Sequence, residues 1–186
     1  MSEVEAREGA MDEEREVVEV AIVEMGGTIN GILAPGAPAP EPGGRVASHV
    51  RRVAGGLAIT VSEVSIVAMK DSRDITMEDR EALVAAILAS QVRRVLVPHG
   101  TFTMGETGRW VERRLAEQGW EGAVVVVGAL VPLGEEGGDG EGSLQVAVEW
   151  LRRGRGVALV LGGRSQGVQA DKCPETGGLV ARGPRP

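Results

Sequence analysis

Tyrosine is absent from this chain of 186 residues, and phenylalanine and cysteine occur once each. A single cysteine, Cys173, excludes an internal disulfide and any cysteine-rich metal site. With aromatics at 2 %, the core must be packed from aliphatic side chains. Positive charge is also short: 20 Lys and Arg against 27 Asp and Glu leave a net charge of -7. Such a chain lacks the basic field that holds phosphates, so neither nucleic acid nor an anionic membrane is an expected partner. No apolar run approaches the length of a membrane span, and the first residues are acidic rather than signal-like, so a cytoplasmic protein is the expectation. The length suits one domain with a buried core.

Residues 1–16 are polar, acidic and without apolar period, and read as a disordered extension ahead of a domain over 17–186. The stretch from Val20 to Gly31 reads as a buried strand running into a glycine turn that delivers Thr28. A proline- and glycine-rich segment, Asn30 to Gly44, follows; it suits either a flap over a site or a plain loop. Further on, helices are expected over Arg45–Val53, from Thr76 to about Ser90, over Met104–Gln118 and over Ser143–Arg153. Thr76 and Asp79 have the spacing of a capping box, and Gly119 stands where a glycine ends a helix. Strands are expected within Leu57–Met69 and at Val95–Pro98, Ala123–Val127 and Gly156–Leu161, with loop after Gly162. Strands alternating with helices predict a three-layer α/β/α fold with a mostly parallel sheet, Rossmann-like or flavodoxin-like.

In such a sheet ligands bind outside the carboxyl ends of the strands. Three polar tips fall there: Gly27-Thr28, Asp71-Ser72-Arg73-Asp74 and His99-Gly100-Thr101. A hydroxyl nucleophile beside backbone donors and a carboxylate-binding group is the layout acyl transfer needs. Each residue also has a plainer reading. Thr28, Asp71 and Ser72 are common turn residues, Arg73 and Lys172 suit solvated charges, His99 suits a hydrogen-bonded structural role, and Phe102 suits packing.

The set Gly26-Gly27-Thr28-Ile29, then Asp71-Ser72-Arg73-Asp74-Ile75-Thr76, then His99-Gly100-Thr101-Phe102-Thr103-Met104 resembles the L-asparaginase/glutaminase family. Gly128-Ala129-Leu130-Val131-Pro132-Leu133 and the acid of Gly138-Asp139-Gly140 are similar to its later blocks. The resemblance runs from about Val18 to Thr176, corresponds to the family's N-terminal domain, and is similar to short stand-alone versions of it. It implies that Thr28 is the nucleophile that is acylated and Thr101 the second catalytic threonine, tied to activation of water. Lys172 is the nearest candidate for the catalytic lysine, in a shortened register. Ser72 and Arg73 would grip a carboxylate, with Gly27, Gly100 and Phe102 lining the substrate. The family carries an acid at the position of Phe102, where it holds the substrate's ammonium, and a tyrosine on its flap. The expectation is therefore an asparaginase-type amidohydrolase acting on asparagine or a related anionic amide. The alternative is a degenerate module of the same fold that binds a small ligand. No cofactor or metal is implied, the partner is a small amide or amino-acid-like molecule, and a homo-oligomer is left open.

Overall fold

The computed structural model describes residues 17–38 and 45–181. The expected acidic extension and part of the expected flap, 39–44, lie outside the described residues. In chain order the elements are β1 (Val18–Gly26), α1 (Arg45–Val53), β2 (Ile59–Lys70), α2 (Met77–Ala89), β3 (Arg94–Pro98), α3 (Met104–Glu117), β4 (Ala123–Val127), α4 (Gly140–Arg153), β5 (Gly156–Leu161), β6 (Arg164–Gly167), β7 (Ala170–Lys172) and β8 (Leu179–Ala181).

Six strands form one sheet in the order β2-β1-β3-β4-β5-β6. The first five are parallel and β6 runs antiparallel to β5. The order 2-1-3-4-5 is the flavodoxin-like winding, in which successive connections reverse direction beside β1. The switch point therefore lies between β1 and β3, whose carboxyl ends carry Thr28 and Thr101.

Burial on both faces explains why β1 and β4 are apolar along nearly their whole length. One face holds Val95, Val97 and Val124 under Leu83, Val84 and Ile87 of α2 and Val111 and Leu115 of α3. The other holds Val20, Ile22 and Leu96 under Val46 and Val50 of α1 and Leu144, Val148 and Leu151 of α4. The Thr76–Asp79 capping box forms as expected, with Asp79 N–H donating to Thr76 Oγ1 at 3.2 Å and Thr76 N–H to Asp79 Oδ2 at 2.9 Å. Among the described residues no helix is long and apolar enough to cross a membrane.

Two expectations need correction. The chain after Gly162 is not loop: β6 extends the main sheet, and β7 pairs with β8 as an antiparallel two-stranded ribbon. β6 and β7 are polar and β7 and β8 are only three residues long, so no hydrophobic alternation announces them. Helix α4 starts at Gly140 rather than Ser143, because Asp139 accepts the N–H groups of Leu130 (2.9 Å) and Val131 (3.1 Å) and turns the chain into the helix early.

Candidate active site

The β1 tip is built on glycine. Gly27 adopts φ 84°, ψ -177°, a region open essentially to glycine alone. A Cβ there would lie 2.2 Å from Gly100 N, so the β1 and β3 tips touch backbone to backbone. Gly27 N–H donates to Lys70 O at 2.9 Å, which ties the same tip to β2. Thr28 then opens a 3-10 turn, Thr28–Asn30, anchored by the buried Ile29 and closed by Gly31 at φ 91°. The Thr28 side chain is partly exposed at the carboxyl edge of the sheet.

The β2 tip turns at Asp71. Its carboxylate caps the turn Ser72–Asp74, accepting from Arg73 N (2.9 Å), Arg73 Nε (2.8 Å) and Arg73 Nη2 (3.0 Å). The hydrogen bond from Arg73 holds the Asp71 carboxyl below the usual carboxylate range, with a smaller contribution from the Lys172 charge. One edge of the Arg73 fork is therefore occupied by Asp71, and its guanidinium lies 4.4 Å from the centre of the Phe102 ring. Ser72 is buried against Gly100, where a Cβ would come within 2.7 Å of its own Cβ. Its hydroxyl accepts from Phe102 N–H at 3.2 Å and its carbonyl accepts from Thr103 Oγ1 at 2.7 Å. Ser72 thus stitches the β2 tip to the β3–α3 loop. Asp74 accepts from Gly36 N–H at 2.8 Å, which draws the proline- and glycine-rich segment to this edge.

Lys172 reaches the same place from 71 residues away: its Nζ donates to Thr101 Oγ1 at 2.9 Å and lies 4.1 Å from the Phe102 ring centre. Burial and then the Arg73 charge pull its pKa below the ordinary lysine value, against an opposing pull from Asp71. The ribbon that carries Lys172 docks on α3 through two residues the sequence reading did not single out. Gly105 lets the chain approach so closely that a Cβ would sit 2.4 Å from Ala170 O. Arg109 donates to Val168 O and to Asp171 Oδ1, both at 2.9 Å. A glycine in the first turn of a helix, costly by propensity, was the one available signal for that contact.

His99 has the structural role the plainer reading gave it. It is fully buried, and burial pulls its pKa down to about 4, so the ring is neutral. Nδ1 lies 2.8 Å from Gly100 O and Nε2 lies 3.0 Å from Thr107 Oγ1. Because Nδ1 faces a carbonyl it carries the proton, and Thr107 donates to Nε2 while accepting from the buried Arg80 Nε at 3.1 Å. Arg80 and Thr107, both unremarked in the sequence, hold the β3 tip from below.

Thus Gly27, Gly100, Ser72, Arg73, Thr101, Phe102 and Lys172 meet through named contacts, and Thr28 stands next to Gly27 at the same edge. Phe102 is 56 % exposed and does not pack into the core. It walls a groove of about 490 Å³ that runs along α3 past Arg109 and Trp110 to Arg113 and Asp171.

Comparison with known proteins agrees with this architecture. Residues 19–177 match the family model described as "Asparaginase, N-terminal". No curated protein matches the chain. Among solved structures, the probable cytoplasmic L-asparaginase of Campylobacter jejuni is 22 % identical with a TM-score of 0.61, covering 83 % of this chain and 49 % of that one. The thermostable L-asparaginase of Thermococcus kodakarensis is 18 % identical with a TM-score of 0.65, covering 83 % and 48 %. L-asparaginase I of Vibrio cholerae is 20 % identical with a TM-score of 0.65, covering 84 % and 48 %. The chain spans about half the length of these proteins, and at such identities they speak for the fold alone. With the family model matched over most of its length, this chain belongs to the asparaginase family, through that family's N-terminal domain.

Proposed function

We propose that the domain hydrolyses the side-chain amide of a small anionic substrate by acyl transfer. The observation that carries the reading is the Lys172–Thr101 hydrogen bond at 2.9 Å, with the lysine pKa lowered, at the switch point of the sheet. Thr28 Oγ1 attacks the amide carbonyl and forms an ester, its proton goes to the departing nitrogen, and ammonia leaves. With Lys172 neutral the same contact reverses: its Nζ accepts the Thr101 hydroxyl proton while Thr101 takes one from the water attacking the ester, and the relayed proton returns to Thr28 Oγ1 as the ester bond breaks and the acid leaves. The Gly27 amide is already donated to Lys70 O. The Thr28 amide, at the start of a 3-10 turn, is therefore the better oxyanion donor.

The charges at the site bear on the substrate. Arg73 and Lys172 flank the Phe102 ring, and Asp71, the acid between them, is engaged by Arg73. A substrate carboxylate suits the outer edge of Arg73, whereas an ammonium would meet two cations and an apolar ring. The preferred substrate therefore has its α-nitrogen acylated or absent. The groove beside Phe102, where Arg113 stacks 4.3 Å above the Trp110 ring, has room for an acyl substituent.

Phe102 and the engagement of Arg73 by Asp71 also favour a second reading, a module that binds such anions without turnover. Ammonia release from succinamate, N-acetyl-asparagine and asparagine, with Thr28→Ala as control, separates the two. Release that Thr28→Ala abolishes supports the hydrolase. Binding of succinate by calorimetry without ammonia from any amide supports the binding module.

A further inference from the structure

Glu24 lies on the face of β1 that packs against α1, with 3 % of its surface exposed, and Asn30 at the end of the Thr28 turn has 4 % exposed. Asn30 Nδ2 donates to Glu24 Oε2 at 3.4 Å, while Glu24 Oε1 and Asn30 Oδ1 have no hydrogen-bond partner among the described residues. Both orphans are acceptors when the acid is ionised, and both belong to one bonded pair. Buried polar groups left in that state are costly and rare in native proteins. One proton on Oε1 would turn one orphan into a donor for the other, Oδ1, on the same bonded pair, while the amide N–H donates to Oε2. The pair spans six residues, and inside that span lie Gly26, Gly27 and Thr28. Asn30 N–H also donates to Gly27 O at 3.0 Å, so its side chain is fixed to the same turn that presents Thr28.

We propose that Glu24 is a positioning residue for Thr28: held as the neutral acid, it closes a two-bond clasp on Asn30 across the glycine turn. The proposal rests on the reading of Thr28 as nucleophile only for its consequence in catalysis; the clasp itself does not. Burial alone pushes the Glu24 carboxyl above its usual value of 4.5, with no charged neighbour contributing. The titratable and charged groups on the elements packed against that face are Arg45, His49, Arg51 and Arg52 of α1 and Glu141, Glu149, Arg152 and Arg153 of α4. Arg45 donates to Leu133 O, His49 Nδ1 lies against Arg45 O, and Arg52 is paired with Glu141. On β2, Glu63 is engaged by Ser90 and Lys70 by Asp79.

Glu24→Gln keeps the shape and supplies a permanent donor to Asn30 Oδ1, whereas Glu24→Leu fills the space without a clasp. The sign of the pH dependence follows from linkage. A folded-state pKa raised above the unfolded one gives wild type its full stability at low pH and takes it away as pH rises through the raised value. Glu24→Gln lacks that slope, so it melts above wild type at pH 8 and the gap closes toward pH 4.5. In an NMR titration the carboxyl carbon of Glu24 is expected to titrate above the ordinary carboxylate range. Amides of Asn30 and Gly31 exchange faster in Glu24→Leu than in Glu24→Gln at one pH. In catalysis, Glu24→Gln retains ammonia release and Glu24→Leu loses about tenfold or more in kcat with KM little changed. A carboxyl that titrates in the ordinary range, a Glu24→Gln protein that melts below wild type at pH 8, or equal exchange in the two variants overturns the clasp. If no amide yields ammonia, the hydrolase reading fails while the melting, titration and exchange results still decide the clasp. If Glu24→Leu does not fold, the titration of wild type and the melting of Glu24→Gln decide it alone.

Discussion

The contact between Gly27 and Gly100 is a sharp test of how the site is assembled. Gly27→Ala meets two separate penalties. The first is conformational: φ 84° with ψ -177° is a glycine region, costing about 1–3 kcal/mol for a residue with a side chain. The second is steric, because the new Cβ would sit 2.2 Å from Gly100 N and 2.3 Å from Gly100 Cα. Backbone cannot swing aside as a flexible side chain can, so overpacking adds about 1–3 kcal/mol. The sum, about 2–6 kcal/mol, is a large share of the roughly 5–15 kcal/mol that holds a typical domain folded. Gly119→Ala is the matched control: φ is 60°, but nothing lies within 4 Å of the added atom. Only the left-handed cost of about 1–2 kcal/mol applies there. Urea unfolding reads the difference: with m of about 2–3 kcal/mol per molar, Gly27→Ala moves the midpoint down by about 0.7–3 M and Gly119→Ala by about 0.3–1 M. Because Thr28 follows directly, the folded fraction of Gly27→Ala also loses anion binding. A Gly27→Ala protein no less stable than Gly119→Ala would falsify the close approach of the two strand tips.

Three further outcomes are expected. If neutral Lys172 serves Thr101, ammonia release rises with pH through the lowered lysine pKa; Arg73→Gln removes a repelling charge and leaves Asp71 unpaired, so the rising limb moves to higher pH, and an unmoved limb refutes the coupling. Phe102→Asp places an acid beside Lys172 and Arg73 and shifts the ratio of kcat/KM for asparagine over N-acetyl-asparagine toward asparagine by about tenfold or more, on the basis of about 1.5–3 kcal/mol for a charge-assisted bond; an unchanged ratio removes Phe102 from substrate choice. Thr76→Ala deletes the side chain that caps α2 and lowers stability by about 1 kcal/mol in urea unfolding, with binding of succinate unchanged because the cap serves α2 rather than the strand tips.

Local chemistry made much of this protein legible before any fold was known. The helical spacing of apolar residues marks α1 as Arg45–Val53 and an unbroken apolar run marks β4 as Ala123–Val127, with the bounds the structure shows, because burial of one helix face imposes a repeat and burial of both strand faces removes it. Thr76 and Asp79 carry their capping box in four residues, and Gly26-Gly27-Thr28 announces a strand ending in a turn. What needed the tertiary structure is whatever long-range contact alone stabilises. β6 and β7 are short and polar, so only their partners β5 and β8, and the docking of β7 through Gly105 and Arg109, make them strands. Lys172 looked out of register in the linear chain, yet the ribbon brings its Nζ to 2.9 Å from Thr101, a contact no local pattern encodes. The choice of winding was likewise hidden, because apolar strands of equal character pair in several orders. The connections and the backbone contact of Gly27 with Gly100 set β1 beside β3 and so placed the cleft between them.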